Sequence, residues 1–461
     1  MEILEKQREF FLNGGTLSVK RRLELLKRLR NEISAKEEEI FAALSADLGK
    51  SRTEAYMTET GMVLSELSCA VRNLKKWSRP RKTATPAAQF PAKSMILPEP
   101  YGNVLVMSPW NYPFLLCISP LVSAIAAGNT VILKPSAYSP ATSAVVRQIV
   151  SDVFPEEWAA VIEGGREVNS GLLEQKFDYI FFTGSKAVGR TVMEKAARHL
   201  TPVTLELGGK SPVIVTPDAD IRVSAARIVF GKYLNCGQTC VAPDYVIVHE
   251  SIVDNFIENC AREITGMFGA EQTANPDYGK IINGKHFDRL SGVMDEVRDK
   301  CVFGGSSDPE RLKIQPSIFR LGAISDPDCD SCSMMQDEIF GPLMPVLTYR
   351  ENEEVIDYVN RHPRPLATYI FSRDRKLKRL FLTRLHFGGG CINDTIIHLA
   401  SETLPFGGVG ESGMGQYHGR FGFETFSHMK SIVDKPFRPD LPMRYQPYTK
   451  MKERLIRIFL R

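Results

Sequence analysis

Three side chains stand in sequence settings where they could do chemistry. Cys240 closes a polar, glycine-containing stretch between a predicted helix and a predicted strand. A thiolate nucleophile needs an accessible setting of this kind, although the local sequence by itself favours an inert thiol. Glu206 ends a predicted strand beside a glycine turn, where apolar surroundings would raise its pKa and suit it to general-base work. Asn111 directly follows another strand and could direct its amide at a developing oxyanion. The alternatives are that Glu206 is a surface carboxylate and that Asn111 only forms a turn.

Two further stretches could hold a phosphate-bearing ligand. Phe182–Gly189 runs from a strand through a glycine turn into a helix, and the free amides at such a helix N-terminus can face a pyrophosphate. Lys134–Ser136 ends another strand and adds a cation and a hydroxyl at the same edge. By contrast, Gly408–Gly413 matches the dinucleotide fingerprint but lacks its preceding strand and following helix, so we set it aside.

The sequence shows no spacing typical of metal ligands. The eight histidines form no H-E-x-x-H motif, and Cys329–Cys332 is a lone C-x-x-C without a second pair at zinc spacing. We therefore expect no metal site, and we interpret these two cysteines as incidental loop residues, with a redox pair as the alternative.

The segments around these residues alternate between strands and helices. The predicted strands are continuous apolar runs, typical of a parallel sheet that is covered on both faces. In the first series they are Asn103–Ser108, Thr130–Leu133, Ala159–Ile162, Tyr179–Phe182 and Val203–Leu205, with helices at Pro140–Val153 and Ala187–His199. The second series contains Val213–Val215, Tyr245–Val248, Met344–Thr348, Thr368–Phe371 and Gly390–Asn393. Residues 18–48 predict one long amphipathic helix or a helix pair. The pattern indicates two α/β domains with a cleft between them.

Composition and charge exclude several classes of protein. The 461 residues are 43% hydrophobic and 24% charged, which excludes a disordered or fibrous chain. Lysine and arginine number 58 against 54 acidic residues, and a net charge of +4 is too small to indicate a nucleic-acid partner. Nine thinly scattered cysteines, an odd number, are typical of free thiols in a reducing compartment. With no secretory signal visible at the N-terminus, we expect a cytoplasmic protein.

The C-terminal tail is a separate feature. Basic and apolar residues alternate from Lys450 to Arg461, which predicts a short amphipathic helix. Two interpretations stay open. We favour a helix that is docked on the protein or frayed, and the alternative is weak peripheral contact with an anionic membrane surface.

Seven ordered motifs together resemble those of the aldehyde dehydrogenase superfamily, over roughly residues 20–435. They are Pro109–Pro113, Leu133–Ser136, Phe182–Ser185, Leu205–Lys210, Gly237–Cys240, Glu338–Pro342 and Pro405–Gly408. Ser412–Gly419 and Phe426–His428 are similar to the class 3 branch, whose members oxidise medium- and long-chain aliphatic or aromatic aldehydes and are typically homodimers.

The resemblance implies two doubly wound, Rossmann-like domains and a small β bridging element that serves oligomerisation. We expect the NAD(P)-binding domain at residues 1–80 and 98–206 and the catalytic domain at 207–396. The bridging element would occupy 81–97 and 397–435, and 436–461 would form the tail.

The resemblance also implies a role for each candidate residue. Cys240 would attack the aldehyde to give a thiohemiacetal, whose oxyanion the Asn111 side chain and the Cys240 amide would stabilise. Hydride transfer to the nicotinamide would leave a thioester, and Glu206 would activate the water that hydrolyses it to the carboxylic acid. Residues implied to bind the cofactor are Lys134, Ser136, Gly184, Ser185, Val188, Glu338 and Phe340. Glu338 could share the proton transfer, and Tyr112 and Thr239 are expected to line the substrate channel.

One position departs from the family pattern. Members often carry a glutamate after the Lys-Pro-Ser stretch, where it binds the adenosine ribose and repels a 2′-phosphate, but Ala137 stands here. We therefore expect NAD or NADP as cofactor, with tolerance of NADP.

The sequence also bears on two alternative functions. A CoA-acylating aldehyde dehydrogenase needs no base to activate water, so the presence of Glu206 favours hydrolysis. A non-catalytic protein on the same fold is expected to have lost the nucleophile, the oxyanion donor or the base, and all three are present.

Overall fold

The structure is a computed structural model and describes residues 2–460. Its helices are α1 (Glu2–Leu12), α2 (Val19–Ala35), α3 (Glu37–Leu48), α4 (Arg52–Ala55), α5 (Gly61–Trp77), α6 (Leu115–Ala127), α7 (Pro140–Val153), α8 (Arg166–Leu173), α9 (Lys186–Ala197), α10 (Ile221–Tyr233), α11 (Val253–Phe268), α12 (Gly284–Glu296), α13 (Ser333–Gln336), α14 (Asn352–Arg361), α15 (Arg375–Arg384), α16 (Gly419–Thr425) and α17 (Lys450–Phe459). Its strands are β1 (Arg81–Thr83), β2 (Lys93–Pro100), β3 (Asn103–Met107), β4 (Thr130–Lys134), β5 (Ala159–Val161), β6 (Tyr179–Gly184), β7 (Val203–Leu207), β8 (Pro212–Val215), β9 (Tyr245–His249), β10 (Cys301–Phe303), β11 (Ser307–Asp308), β12 (Lys313–Ile314), β13 (Ser317–Ala323), β14 (Leu343–Tyr349), β15 (Ala367–Phe371), β16 (Gly389–Ile392), β17 (Gly413–Met414) and β18 (Ser427–Asp434).

The first sheet has six strands in the order β17-β7-β6-β3-β4-β5. Neighbours are parallel except at β17, which is antiparallel to β7. Side chains of β3 alternate between two apolar clusters, with Val104 and Val106 in one and Leu105 and Met107 in the other. Helix α6 covers the first face and α9 the second. Because both faces are covered, the strands are continuous apolar runs, as the sequence predicts.

The second sheet has seven strands in the order β10-β13-β14-β9-β8-β15-β16 and is parallel except at β10. Its central strand β9 is built in the same way, because Val246 and Val248 face one cluster while Tyr245 and Ile247 face another. The predicted α/β class with two doubly wound sheets is confirmed.

A third, antiparallel sheet joins β1, β2 and β18. Strand β1 is an exposed edge strand. Strand β17 lies inside the span expected for the bridging element, yet it pairs with β7, where Gly413 stands opposite Glu206.

Two sequence expectations concern the helices near the two ends of the chain. Residues 18–48 form a helix pair that divides at Lys36, and Gly49 ends α3 in a left-handed conformation with a φ of 66°. At the C-terminus, α17 touches the turns at Ala87–Gln89 and Pro442–Arg444, and it buries none of its side chains. Within residues 2–460, none of the helices has the length and apolar character needed to cross a membrane.

Candidate active site

The loop that carries Cys240 leaves α10 through a left-handed turn. Asn235, Cys236 and Gly237 have φ values of 52°, 53° and 73°, a conformation that residues with side chains rarely adopt. At Gly237 a Cβ would also lie 2.3 Å from the carbonyl oxygen of Gly341, so only glycine fits. This turn directs the following residues, and Cys240 with them, towards the loop after β3.

That second loop carries Asn111 and Tyr112. The Asn111 side-chain amide donates a hydrogen bond to the Gln238 carbonyl at 3.0 Å, and the Tyr112 hydroxyl lies 2.5 Å from that of Thr239. A primary amide has two N–H groups, so Asn111 keeps a second donor for another acceptor. The structure therefore brings Asn111, Tyr112, Thr239 and Cys240 together.

Glu206 lies on β7 as a buried carboxylate. Its residue surface is 3% exposed, and neither carboxylate oxygen has a hydrogen-bond partner among the described residues. Burial without compensation raises the pKa of Glu206 well above its ordinary value. Burial also raises the pKa of Cys240 to about 12, and the negative charges of Glu338 and Glu206 add to this effect. The two carboxylates are thus close enough to the thiol to interact with it electrostatically.

Glu338 packs against the turn that follows β7. A Cβ at Gly208 would lie 2.0 Å from a Glu338 carboxylate oxygen, so this glycine makes room for the glutamate. Burial raises the pKa of Glu338 to about 8, the charge of Asp244 raises it further, and the Gly209 amide acts in the opposite direction. Phe340, two residues later, packs edge-on against Trp110 with ring centroids 5.4 Å apart. Glu338 therefore contacts the turn after β7, and Phe340 contacts the loop after β3.

The other cofactor candidates lie at the carboxyl ends of β4 and β6. Lys134 ends β4 and is buried, which lowers its pKa, and its Nζ donates to the Pro135 carbonyl at 2.6 Å. Gly184 ends β6, and Ser185 caps α9 by accepting a 3.5 Å hydrogen bond from the Val188 amide. The hydroxyl of Ser136 accepts from the Tyr138 amide at 3.2 Å.

This edge of the sheet fits a nicotinamide dinucleotide. The first turn of α9 is exposed at Ser185 and Val188, and its amides are of the kind that bind a pyrophosphate. Next to it, the buried Thr183 hydroxyl has no hydrogen-bond partner in the described part of the chain. Lys134 would approach ribose hydroxyls and Glu338 the nicotinamide ribose. No group of three or more His, Cys, Asp or Glu side chains within residues 2–460 is arranged to hold a metal ion.

An apolar cavity of about 180 Å³ opens beside Cys240. Tyr112 and Thr239 line it, as expected from the sequence, and its other walls come from distant segments that include Met57, Phe230 and Phe406. Sequence reasoning missed these walls because an isolated apolar residue carries no local sign that it will face a cavity.

Comparison with known proteins agrees with this geometry. The model of the aldehyde dehydrogenase family matches residues 2–432. The chain is 44% identical to the 4,4′-diaponeurosporen-aldehyde dehydrogenase of Staphylococcus aureus, over 100% of both chains. It is also 44% identical to aldehyde dehydrogenase family 3 member H1 of Arabidopsis thaliana, over 99% of this chain and 93% of that protein.

Solved structures give the same result. The substrate-bound Staphylococcus aureus AldH superposes with a TM-score of 0.96 at 43% identity, covering 100% of this chain and 99% of that chain. The NADP complex of GapN from Methanocaldococcus jannaschii has a TM-score of 0.84 at 26% identity, covering 94% of each chain. An aldehyde dehydrogenase of Mycobacterium tuberculosis bound to NAD+ has a TM-score of 0.84 at 26% identity, covering 95% of this chain and 90% of that chain. This chain therefore belongs to the aldehyde dehydrogenase family, as an NAD(P)-dependent aldehyde dehydrogenase of the class 3 type.

Proposed function

We propose that the chain oxidises apolar aldehydes, medium- or long-chain aliphatic or aromatic, to carboxylic acids through a thioester on Cys240. One observation carries the proposal: an apolar cavity ends at a thiol that lies beside an amide donor and within electrostatic reach of an unpaired buried carboxylate. The Staphylococcus aureus relative, named for a diaponeurosporen-aldehyde, supports a preference for long apolar substrates.

The first step joins sulfur to carbon. The Cys240 sulfur attacks the aldehyde carbon, and its electron pair forms the carbon–sulfur bond while the carbonyl oxygen becomes an oxyanion. The free N–H of the Asn111 amide and the backbone N–H of Cys240 stabilise this charge. Because burial favours the thiol over the thiolate, a neighbouring carboxylate has to accept the proton and pass it on to solvent. Glu338 can do this as well as Glu206, since the charges of both carboxylates reach the Cys240 thiol.

The second step resolves the thioester. The oxidised nicotinamide, when bound, supplies the acceptor for the hydride that leaves the thiohemiacetal carbon. Glu206, in its deprotonated form, then takes a proton from a water molecule, and the resulting hydroxide attacks the thioester carbon. The carbon–sulfur bond breaks, the acid leaves, and the Cys240 thiolate takes the proton back from Glu206, so that the thiol and the carboxylate are both restored. A base works best when its pKa lies near the working pH, and burial moves the pKa of Glu206 in that direction. Glu338 is the second candidate for this role, because its pKa is raised to about 8.

The substrate and cofactor proposals are tested together by kcat/KM values over unbranched aldehydes of increasing length and benzaldehydes, each with NAD and with NADP. We expect kcat/KM to rise with chain length, because each buried CH₂ group contributes about 0.8 kcal/mol to binding.

Ala137 is exposed just after β4, so no carboxylate at this position repels a 2′-phosphate. A preference for NAD greater than about 100-fold, roughly 2.7 kcal/mol, would contradict tolerance of NADP. A free acid as product with or without added CoA separates hydrolysis from the CoA-acylating alternative.

We propose the predicted domain division and a homodimer built on the three-stranded sheet. The two wound sheets lie within 103–207 and 212–392, apart from β17, which supports boundaries near 206 and 396. The edges of β1 and β18 leave backbone groups unpaired within the described chain, and such edges pair readily with a second copy. Light scattering should then give a single species with the mass of two chains, whereas the mass of one chain contradicts the proposal.

We propose that α17 makes weak peripheral contact with anionic membrane surfaces. At 100° per residue its apolar side chains Met451, Leu455 and Ile458 share one face, and they are 74%, 38% and 62% exposed. Lys450, Arg454 and Arg457 lie along one side of this apolar face. An exposed apolar face flanked by cations is typical of helices that lie in a lipid interface.

Co-sedimentation with vesicles tests this contact. The full chain is expected to bind vesicles rich in phosphatidylglycerol more than neutral phosphatidylcholine vesicles, and salt should weaken the binding. The double substitution Leu455→Glu with Ile458→Glu should remove it. A control, Leu12→Glu with Leu17→Glu, changes two leucines near the other terminus that are at least as exposed and should bind as the unmodified chain does. Equal binding by both double variants would contradict the proposal.

A further inference from the structure

A buried ion pair lies behind the active-site loops and has no part in the chemistry above. Lys50, between α3 and α4, and Glu59, in the π-helical turn Tyr56–Thr60, have side chains with no exposed surface, and their charged atoms are 2.6 Å apart. Removing two charges from water costs several kcal/mol per ion, so a buried pair is weak evidence of stabilisation. Short π-helical turns occur frequently at functional sites. Both features call for an explanation other than stability.

Glu59 holds the helix that follows the Asn111 loop. Its second oxygen accepts hydrogen bonds from the backbone amides of Phe114 at 3.0 Å and Leu115 at 2.9 Å. These amides belong to the first turn of α6, which has no intrahelical partners for them and favours a negative charge. The glutamate therefore fixes where the Asn111 loop ends.

Lys50 holds the loop itself. Its Nζ donates to the backbone carbonyl of Asn111 at 3.3 Å and lies 4.0 Å from the centre of the Tyr112 ring. The same carbonyl accepts a 2.7 Å hydrogen bond from the side chain of Asn235, at the start of the left-handed turn before Cys240. The backbone of Asn111 is thus held between Lys50 and the nucleophile loop, which is the segment from Asn235 to Cys240.

The segment that carries the pair also contacts the nucleophile loop directly. The Glu54 carboxylate accepts a 2.9 Å hydrogen bond from the backbone amide of Asn235. The ten-residue span that contains Lys50, Glu54 and Glu59 therefore holds both loops in place. An oxyanion donor gives its full effect only when it is oriented before the charge develops, and a misplacement of about 1 Å can cost about 10²-fold in rate.

We propose that Lys50 and Glu59 are positioning residues, which fix the backbone of Asn111 and so aim its side-chain amide at the oxyanion. The inference rests on the proposed roles of Asn111 and Cys240. The pair touches neither the substrate nor the reacting sulfur. It holds the donor through the backbone carbonyl of Asn111 and the backbone amides of Phe114 and Leu115.

The test replaces the pair by neutral groups of similar size, Lys50→Met with Glu59→Gln, so that no unpaired charge stays buried. We expect kcat to fall by about 10- to 100-fold while KM changes less than about 3-fold, because the donor acts on the transition state. The rate at which iodoacetamide alkylates Cys240, read on its own peptide by mass spectrometry, should stay within about 3-fold. Alkylation displaces iodide at a saturated carbon and forms no oxyanion, so Asn111 does not assist it. The control, Lys430→Met with Glu99→Gln, removes a partly exposed pair of the same 2.6 Å length in the three-stranded sheet and should change neither rate.

The outcomes separate a positioning role from a general loss of structure. In an Asn111→Ala background the neutral pair should cost nothing further, since the donor that it aims is gone. A parallel fall in alkylation and kcat, an unchanged kcat, or a full additive loss in that background would each overturn the proposal. If the neutral pair does not fold, Glu59→Asp with Lys50 intact keeps both charges and shortens the reach, and the same selective loss of kcat is expected. Absence of any aldehyde oxidation by the unmodified chain would instead contradict the proposed function.

Discussion

Replacement of Cys240 by alanine is expected to lower kcat for aldehyde oxidation by at least about 10⁴-fold, because Cys240 is the only thiol among the described residues that line the cavity. The variant should still bind NAD or NADP with nearly unchanged affinity, since the cofactor candidates lie on β4, β6 and the Glu338 loop. Steady-state formation of the reduced cofactor, followed at 340 nm, measures the first effect, and quenching of protein fluorescence measures the second.

The matched control is Cys301→Ala. Cys301 is also a partly buried thiol with a pKa raised by burial, but it lies on the edge strand β10 of the second sheet. Its loss should leave kcat unchanged within about twofold. Full activity in the Cys240 variant, or an equal loss in both variants, contradicts the nucleophile assignment.

Much of this site is predictable from the sequence because parallel strands place their carboxyl ends at one edge. Lys134, Gly184 and Glu206 all lie in or at the end of apolar runs that the sequence identifies as strands, and the doubly wound topology brings these ends to a single cleft. The Cys240 loop is identified by its polar, glycine-containing sequence between two regular elements. For these residues, the local sequence pattern and the order of strands and helices are enough to predict their place at the site.

The residues that brace the site are not predictable in this way. Lys50 follows a helix and looks like any surface cation in the sequence, and its burial arises only when residues 111–115 pack over it. The same holds for the cavity walls at Met57 and Phe230, which come from distant segments of the chain. Their roles depend on tertiary contacts, which the spacing of residues along one segment does not encode.

The tail shows the same division between pattern and packing. Alternating basic and apolar residues predict the helix that the structure contains. The pattern does not determine which surface its apolar side packs against, because docking on the protein and lying on a lipid surface need the same amphipathic sequence.

Replacement of Glu206 by glutamine is expected to stop the reaction after the thioester forms. Glutamine matches the shape of the side chain but cannot take a proton from water, and loss of a general base typically costs about 10²–10⁴-fold. Rapid mixing should then show a burst close to one reduced cofactor per chain, followed by slow turnover. Mass spectrometry of the stalled enzyme should find the acyl group on the Cys240 peptide. Hydroxylamine, which attacks a thioester without a base, should restore turnover and give the hydroxamate.

The pH dependence provides an independent check on Glu206. A base with a raised pKa is active once it is deprotonated, so kcat of the unmodified chain should fall as the pH falls through a value well above the ordinary 4.5 of a glutamate. This acidic limb should be missing in the Glu206→Gln variant. Glu338→Gln is the matched control, because Glu338 is the other carboxylate near the thiol, with its pKa raised to about 8. If the acyl group accumulates in the Glu338 variant and not in the Glu206 variant, Glu338 is the base; accumulation in both assigns the proton transfer to the pair.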